Sequence, residues 1–142
     1  MKKRILENRV DYDFYLMGVV SSLKEYKFAF QINHEFDIEL VKERDVKLEF
    51  IKNQNLLISN FLYKTENSRL RLLRNRSVEE STPQTGYLLP ELREFDYLIL
   101  VEGFDDTFSK DELKQRIASM PGVQFTRLLQ IDQLKSRDNL VF

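Results

Sequence analysis

Apolar residues fill both faces of one short segment, Tyr97-Leu98-Ile99-Leu100-Val101, and elsewhere fall at strand or helix spacing. In that segment the reading places Phe95, Tyr97, Ile99 and Val101 on one face, with Leu98 and Leu100 on the other, as in an interior strand over 95–102. Residues 11–20 read as a first strand, with Phe14 and Leu16 opposite Tyr15, Met17 and Val19. Ser22 and Glu25 have capping-box spacing and predict a helix over 23–35, with Leu23, Tyr26, Ala29, Phe30 and Phe36 on its apolar arc. Val46, Leu48 and Phe50 alternate with charges and predict a short strand. The runs 55–66 and 68–78 predict a hairpin turning at Glu66-Asn67. A second helix is well marked: Ser109 as N-cap, Glu112 completing the box, Phe108 and Leu113 as a hydrophobic staple, and Pro121-Gly122 as the stop. Val123, Phe125 and Leu128-Leu129 predict a last strand.

Two helices cannot cover both faces of so large a sheet. The expected fold is therefore α+β: a two-layer sandwich of a mostly antiparallel sheet of five or six strands with two helices, a ferredoxin-like variant. The other sheet face must meet water, the long loop or a second copy. Residues 1–142 read as a single domain, with a loop at 77–90 and a C-terminal tail at 132–142 that ends in Leu140-Val141-Phe142.

Composition narrows the classes of function. Eleven Phe and six Tyr without Trp suit a ring-filled core, and 22 basic against 23 acidic residues give no long-range pull toward nucleic acid or membrane. Cysteine is absent, which removes thiol nucleophiles, iron–sulfur clusters and thiolate zinc sites and fits a cytoplasmic, reducing setting. The basic start MKKR is followed by Glu7, Asn8 and Arg9 rather than by the apolar core of a signal peptide. No apolar run approaches the roughly 20 residues of a membrane span. No cofactor is expected, since the glycines are isolated and no phosphate loop occurs.

The stretch LPELREFDY at 89–97, with its leading Leu88, contains an aliphatic residue, Pro-Glu, three variable positions, an apolar residue and Asp-Tyr. It resembles the motif of the bacterial IPExxxVDY family through Leu89, Pro90, Glu91, Asp96 and Tyr97; Phe95 stands where Val is usual. VDYDFYLMGVVSSLKEYKFAFQIN at 10–33 and LKSRDNLVF at 134–142 also resemble that family's beginning and end. The resemblance implies no activity, substrate or cofactor.

Three constellations carry candidate chemistry. Pro90, Glu91, Asp96 and Tyr97 crowd the start of the interior strand. A desolvated carboxylate there would serve as a general acid; the structural alternative, which we favour, is that Asp96 accepts main-chain N–H groups and locks the preceding loop. Arg69, Arg71, Arg74 and Arg76 lie near Phe61 and Tyr63, so phosphate and base contacts to RNA are conceivable, chiefly through Arg69 and Arg71. The neutral total charge favours cross-strand pairing with acids instead. His34 is the single histidine, so no zinc site is expected, and no G-x-S-x-G elbow accompanies it. Glu102, Asp105, Asp106, Asp111 and Glu112 lack calcium-loop spacing and read as solvated or capping residues.

The expected function is a small non-catalytic cytoplasmic binding or protein-interaction domain, forming a homodimer through a sheet face or the LVF tail. The alternatives are an enzyme using Glu91, Asp96 and Tyr97, which needs a concave pocket holding them together, and RNA binding by the 69–76 strand.

Overall fold

The computed structural model describes residues 14–49, 55–78, 86–103 and 109–140. The chain runs β1 (Phe14–Ser21), α1 (Glu25–Phe36), β2 (Val41–Lys42), β3 (Val46–Glu49), β4 (Asn55–Ile58), β5 (Asn60–Lys64), β6 (Ser68–Arg74), β7 (Tyr97–Gly103), α2 (Lys110–Ala118) and β8 (Val123–Leu129). Six strands form one sheet in the order β2-β5-β6-β7-β1-β8, every neighbouring pair antiparallel. β1 and β6 both run against β7, so they run parallel to each other; β7 and β8 are related the same way across β1. With α1 following β1 and α2 following β7, the four strands β6-β7-β1-β8 make the split βαβ pair of a ferredoxin-like fold. β5 and β2 extend it at one edge.

Alternation along β1 and β7 sorts the core into two layers. Met17, Val19, Tyr97, Ile99 and Val101 meet Phe28, Ala29 and Ile32 of α1 and Leu113 and Ile117 of α2. Leu16, Leu98 and Leu100 face the other way. That second face is covered by the chain itself. β3 and β4 pair as a separate two-stranded sheet whose Leu56 and Ile58 pack there, joined by Leu88 and Leu89 of the loop and Ile131, Leu134 and Leu140 of the tail. The α+β sandwich thus carries a third, irregular layer. Leu140 docks onto its own chain, while Val141 and Phe142 lie outside the described residues.

Several local expectations change. The run 55–66 is not one strand: it breaks at Ser59, which sends β4 to the small sheet and β5 to the large one. Ser22 does not cap α1; Lys24 takes the N-cap position without a side-chain bond, and Glu25 instead accepts from Ser59 Oγ at 2.6 Å. Ser109 does precede α2 but makes no side-chain cap bond, and its staple partner Phe108 lies outside the described residues. The buried stripe of α1 is Phe28, Ala29 and Ile32, whereas Tyr26 and Phe30, expected on that stripe, are 61% and 72% exposed.

Phe95 also departs from its expected face. It precedes β7, and its ring lies over Gly18, opposite Leu98 in the β1–β7 register, hence on the Leu98 side. A Cβ on Gly18 would come within 2.6 Å of the Phe95 ring, so hydrogen is the largest substituent this contact accepts. Gly18→Ala should therefore destabilise the fold by about 1–3 kcal/mol, the usual range for overpacking a core. Urea denaturation would show this as a lower midpoint at an unchanged slope.

Candidate functional site

Residues 86–97 return the chain from the end of β6 to the start of β7, and one residue organises that return. Asn75 is fully buried. Its side-chain Nδ2 donates to Leu92 O and Phe95 O, both at 3.0 Å, and its Oδ1 accepts from Leu89 N at 2.9 Å. Its main chain adds a bond to Asp96 O at 3.0 Å and accepts from Leu88 N at 2.6 Å. Buried polar groups persist only when so satisfied. Pro90 stands at the start of a short 3₁₀ turn, Pro90–Leu92, within this loop.

The two motif carboxylates act at separate places. Glu91 Oε2 accepts from the main-chain N–H of Ser136, 2.8 Å away in the tail. Burial alone would raise its pKa; hydrogen bonds from Ser136, Lys135 and its own main chain together outweigh that and hold it below the usual carboxylate value. Asn139 fastens the same tail by donating to Leu88 O at 2.8 Å. Asp96 Oδ2 accepts from Ser21 N at 2.8 Å, so its target is the end of β1 rather than the preceding loop. Its own N–H donates to Val19 O at 2.9 Å. Ser21 Oγ continues the chain of bonds to Gly122 O at 2.7 Å. Tyr97 packs its ring 4.9 Å from that of Phe28 and donates its hydroxyl to Leu23 O. Its pKa is pushed up to about 12 by burial and by the negative charges of Glu25 and Asp96, which Arg74 partly opposes.

A concave site does exist beside this knot. A cleft of about 520 Å³ lies where the amino end of α1 meets the end of β6, lined by Lys24, Glu25, Tyr26, Arg74, Arg76, Tyr87, Arg93, Asp96 and Tyr97 among others. It gathers Asp96 and Tyr97 but not Glu91. Arg74, Arg76 and Arg93 form no ion pair among the described residues. Arg76 places its guanidinium 5.9 Å from the centre of the Tyr87 ring. The two carboxylates at the cleft are already engaged, Asp96 with Ser21 N and Glu25 Oε1 with Ser59 Oγ; Glu25 Oε2 is buried with no hydrogen-bond partner among the described residues. Four cations against two acids, beside the positive end of a twelve-residue helix, make the cleft attractive to anions.

The expected RNA surface is not assembled. In the β5–β6 register Arg71 faces Leu62 and Arg69 faces Lys64, while Phe61 and Tyr63 face Leu72 and Leu70 on the opposite side of the sheet. Arg71 instead donates to Asn60 Oδ1 at 3.0 Å, and desolvation lowers its pKa against the opposing pull of Glu102. Arg69 stands opposite Glu102 across β6 and β7. His34 is exposed near the far end of α1, about 13 Å along the axis from Glu25 at 1.5 Å per residue. Among the described residues no group of three His, Asp or Glu side chains could hold a metal ion.

Sequence reasoning missed Asn75, Arg93 and Tyr87. Nothing in the residues beside Asn75 marks it as a buried fastener of main chain. The one available signal for the arginines was that Arg74 and Arg76 continue the face of Leu70 and Leu72 past the apolar stretch. Compared with known protein families and with curated proteins, the chain matches none.

Two measurements check the fastening roles. Asn75→Ala leaves Phe95 O and Leu89 N unpaired, at about 1–3 kcal/mol for each buried group, while Leu92 O keeps its bond from Phe95 N, so thermal unfolding should fall further than for Asn139→Ala. Because the folded-state pKa of Glu91 is depressed, its stabilisation is full above the ordinary value of 4.5 and is lost as pH falls through the lowered one. Melting curves of Glu91→Ala should therefore lie below those of the parent at neutral pH and converge with them in acid.

Proposed function

We propose that the protein is a small non-catalytic binding domain whose cleft at the amino end of α1 receives an anionic group. The observation that carries this reading is the convergence of Arg74, Arg76 and Arg93, free of ion pairs among the described residues, with Lys24 on a cleft lined by only two acids. Charge-assisted hydrogen bonds from arginine suit carboxylate or phosphate oxygens. A catalytic role for Asp96 and Tyr97 has less support, because the carboxylate and the hydroxyl both serve main-chain partners, and Glu91 lies in the tail contact instead. RNA binding by Arg69 and Arg71 has less support too, since their rings of choice lie on the other face.

Membership in the IPExxxVDY family belongs to the same proposal; its support is that the matching residues Leu89, Pro90, Glu91, Asp96 and Tyr97 cluster around one fastened loop. A cytoplasmic setting is proposed from the absence of cysteine. No helix among the described residues is long and apolar enough to cross a membrane. For the proposed homodimer the supporting surface changes. The sheet face is covered by the chain's own β3–β4 sheet, loop and tail, so the outer edge of β8, with Phe125 48% exposed, is what supports it.

Inorganic phosphate is the simplest probe of the cleft. In an NMR titration the amide signals of Glu25, Tyr26, Arg74 and Arg76 should move together and saturate. An Arg74→Ala/Arg93→Ala variant should bind roughly tenfold more weakly or worse, since a hydrogen bond to a charged group contributes about 1.5–3 kcal/mol. Shifts scattered over the whole surface, or unchanged in the variant, would dispose of the cleft as an anion site.

A further inference from the structure

The apolar arc of α1 is wider than the sheet can cover. Phe28, Ala29 and Ile32 are buried against it, yet Tyr26 and Phe30 project to solvent at 61% and 72% exposure. Spacing of i and i+4 makes these two rings neighbours on one face of the helix. Tyr26 is also part of the cleft wall, so the aromatic strip begins at the cleft and runs one helical turn away from it. An exposed apolar strip that borders a polar, charged site marks an interaction surface.

We propose that the arginine cleft and the Tyr26–Phe30 strip form one docking surface for an acidic segment of a partner protein that also carries apolar side chains. The proposal rests on the reading of the cleft as an anion site and adds the partner's class. Carboxylates of the segment meet Arg74, Arg76 and Arg93, and a neighbouring Phe, Leu or Ile side chain lies across the two rings. Charge complementarity selects this occupant: the cleft is cationic within a chain of net charge −1, so it favours a compact acidic segment over a long polyanion. A nucleic-acid strand would need a basic track leading from the cleft along α1, and there Glu35 and the uncharged Gln31 and Asn33 accompany the one further cation, Lys27. Rigid aromatic anchors beside arginines are also the composition of binding hot spots.

The experiment is fluorescence polarisation with the full chain and a labelled short peptide of alternating Glu or Asp with Phe or Leu. Three comparison probes accompany it: the same peptide with Ser for its apolar residues, the same peptide with Gln and Asn for its acids, and single-stranded RNA. The parent peptide should bind at least tenfold more tightly than either altered peptide. Phe30→Ser, at an exposed position outside the cleft wall, should weaken it at least fivefold while leaving phosphate shifts at the cleft unchanged, and Tyr26→Ser should weaken it by a similar factor. Equal binding of the Ser-substituted peptide, indifference to Phe30→Ser, or tighter binding of RNA overturns the proposal. A concentration-dependent dimer that Phe30→Ser dissolves also overturns it, by assigning the strip to a second copy. Phosphate binding without peptide binding leaves the anion cleft standing and removes only the docking surface; failure of both removes the two together.

Discussion

Strand β7 has no face to offer water. Tyr97, Ile99 and Val101 fill one side, Leu98 and Leu100 the other, and all five are buried. Each such side chain gains roughly 1.5–3 kcal/mol by leaving water, so both faces of the sheet must be covered for the fold to stand. Two helices suffice for one face. The other is closed by pieces that have little regular structure of their own: a two-stranded sheet, a loop and a tail of 3₁₀ turns. Such pieces hold their position only if tied down, and the polar groups around residues 75, 91, 96 and 139 do the tying.

These ties differ in kind from surface salt bridges. Exposed pairs such as Arg127 with Glu94, 3.4 Å apart, contribute little in water. Asn75, by contrast, is fully buried and supplies both donors and an acceptor to the main chain of the loop. Asp96 extends the same network to β1, and Ser21 carries it on to Gly122 at the start of β8. The loop before β7, the end of β1 and the turn after α2 are thereby fixed to one another at one end of the sheet. Glu91 and Asn139 attach the tail to that loop. The aromatic contact of Phe95 over Gly18 lies within this region and sets how closely the loop can approach β1.

Much of the fold was legible in the residues, and the failures have physical causes. β1 and β7 alternate with period two because each is covered on both faces by different partners, and their face assignments hold except for Phe95, which precedes β7. The run 55–66 hid its break because Ser59-Asn60 is a two-residue turn signal without Gly or Pro inside an apolar run; the break appears only when β4 and β5 join different sheets. For α1 the wheel weighted aromatic residues as buried, whereas Phe28 and Ile32, four residues apart, mark the true centre of the buried face. The candidate carboxylates were visible, but their partners were not: Ser136 lies 45 residues from Glu91, and Ser21 lies 75 from Asp96. A hydrogen bond between such distant positions leaves no local pattern to read.

The same geometry explains why a cleft sits where it does. The seven residues of β6 extend about 23 Å at 3.3 Å each, while the twelve of α1 reach about 18 Å even if laid along the strand. On the helix-facing side of β6 the alternation Leu70, Leu72 continues as Arg74, and Arg76 follows after the strand has ended. Leucine at those last two positions would lie uncovered, and cations lie there instead, close to the uncapped start of α1 and opposite Arg93 from the fastened loop. Folding accounts for the buried residues on either side of that boundary. It gives no use for three guanidinium groups at one concave end, so their convergence is a property the fold tolerates and recognition can employ.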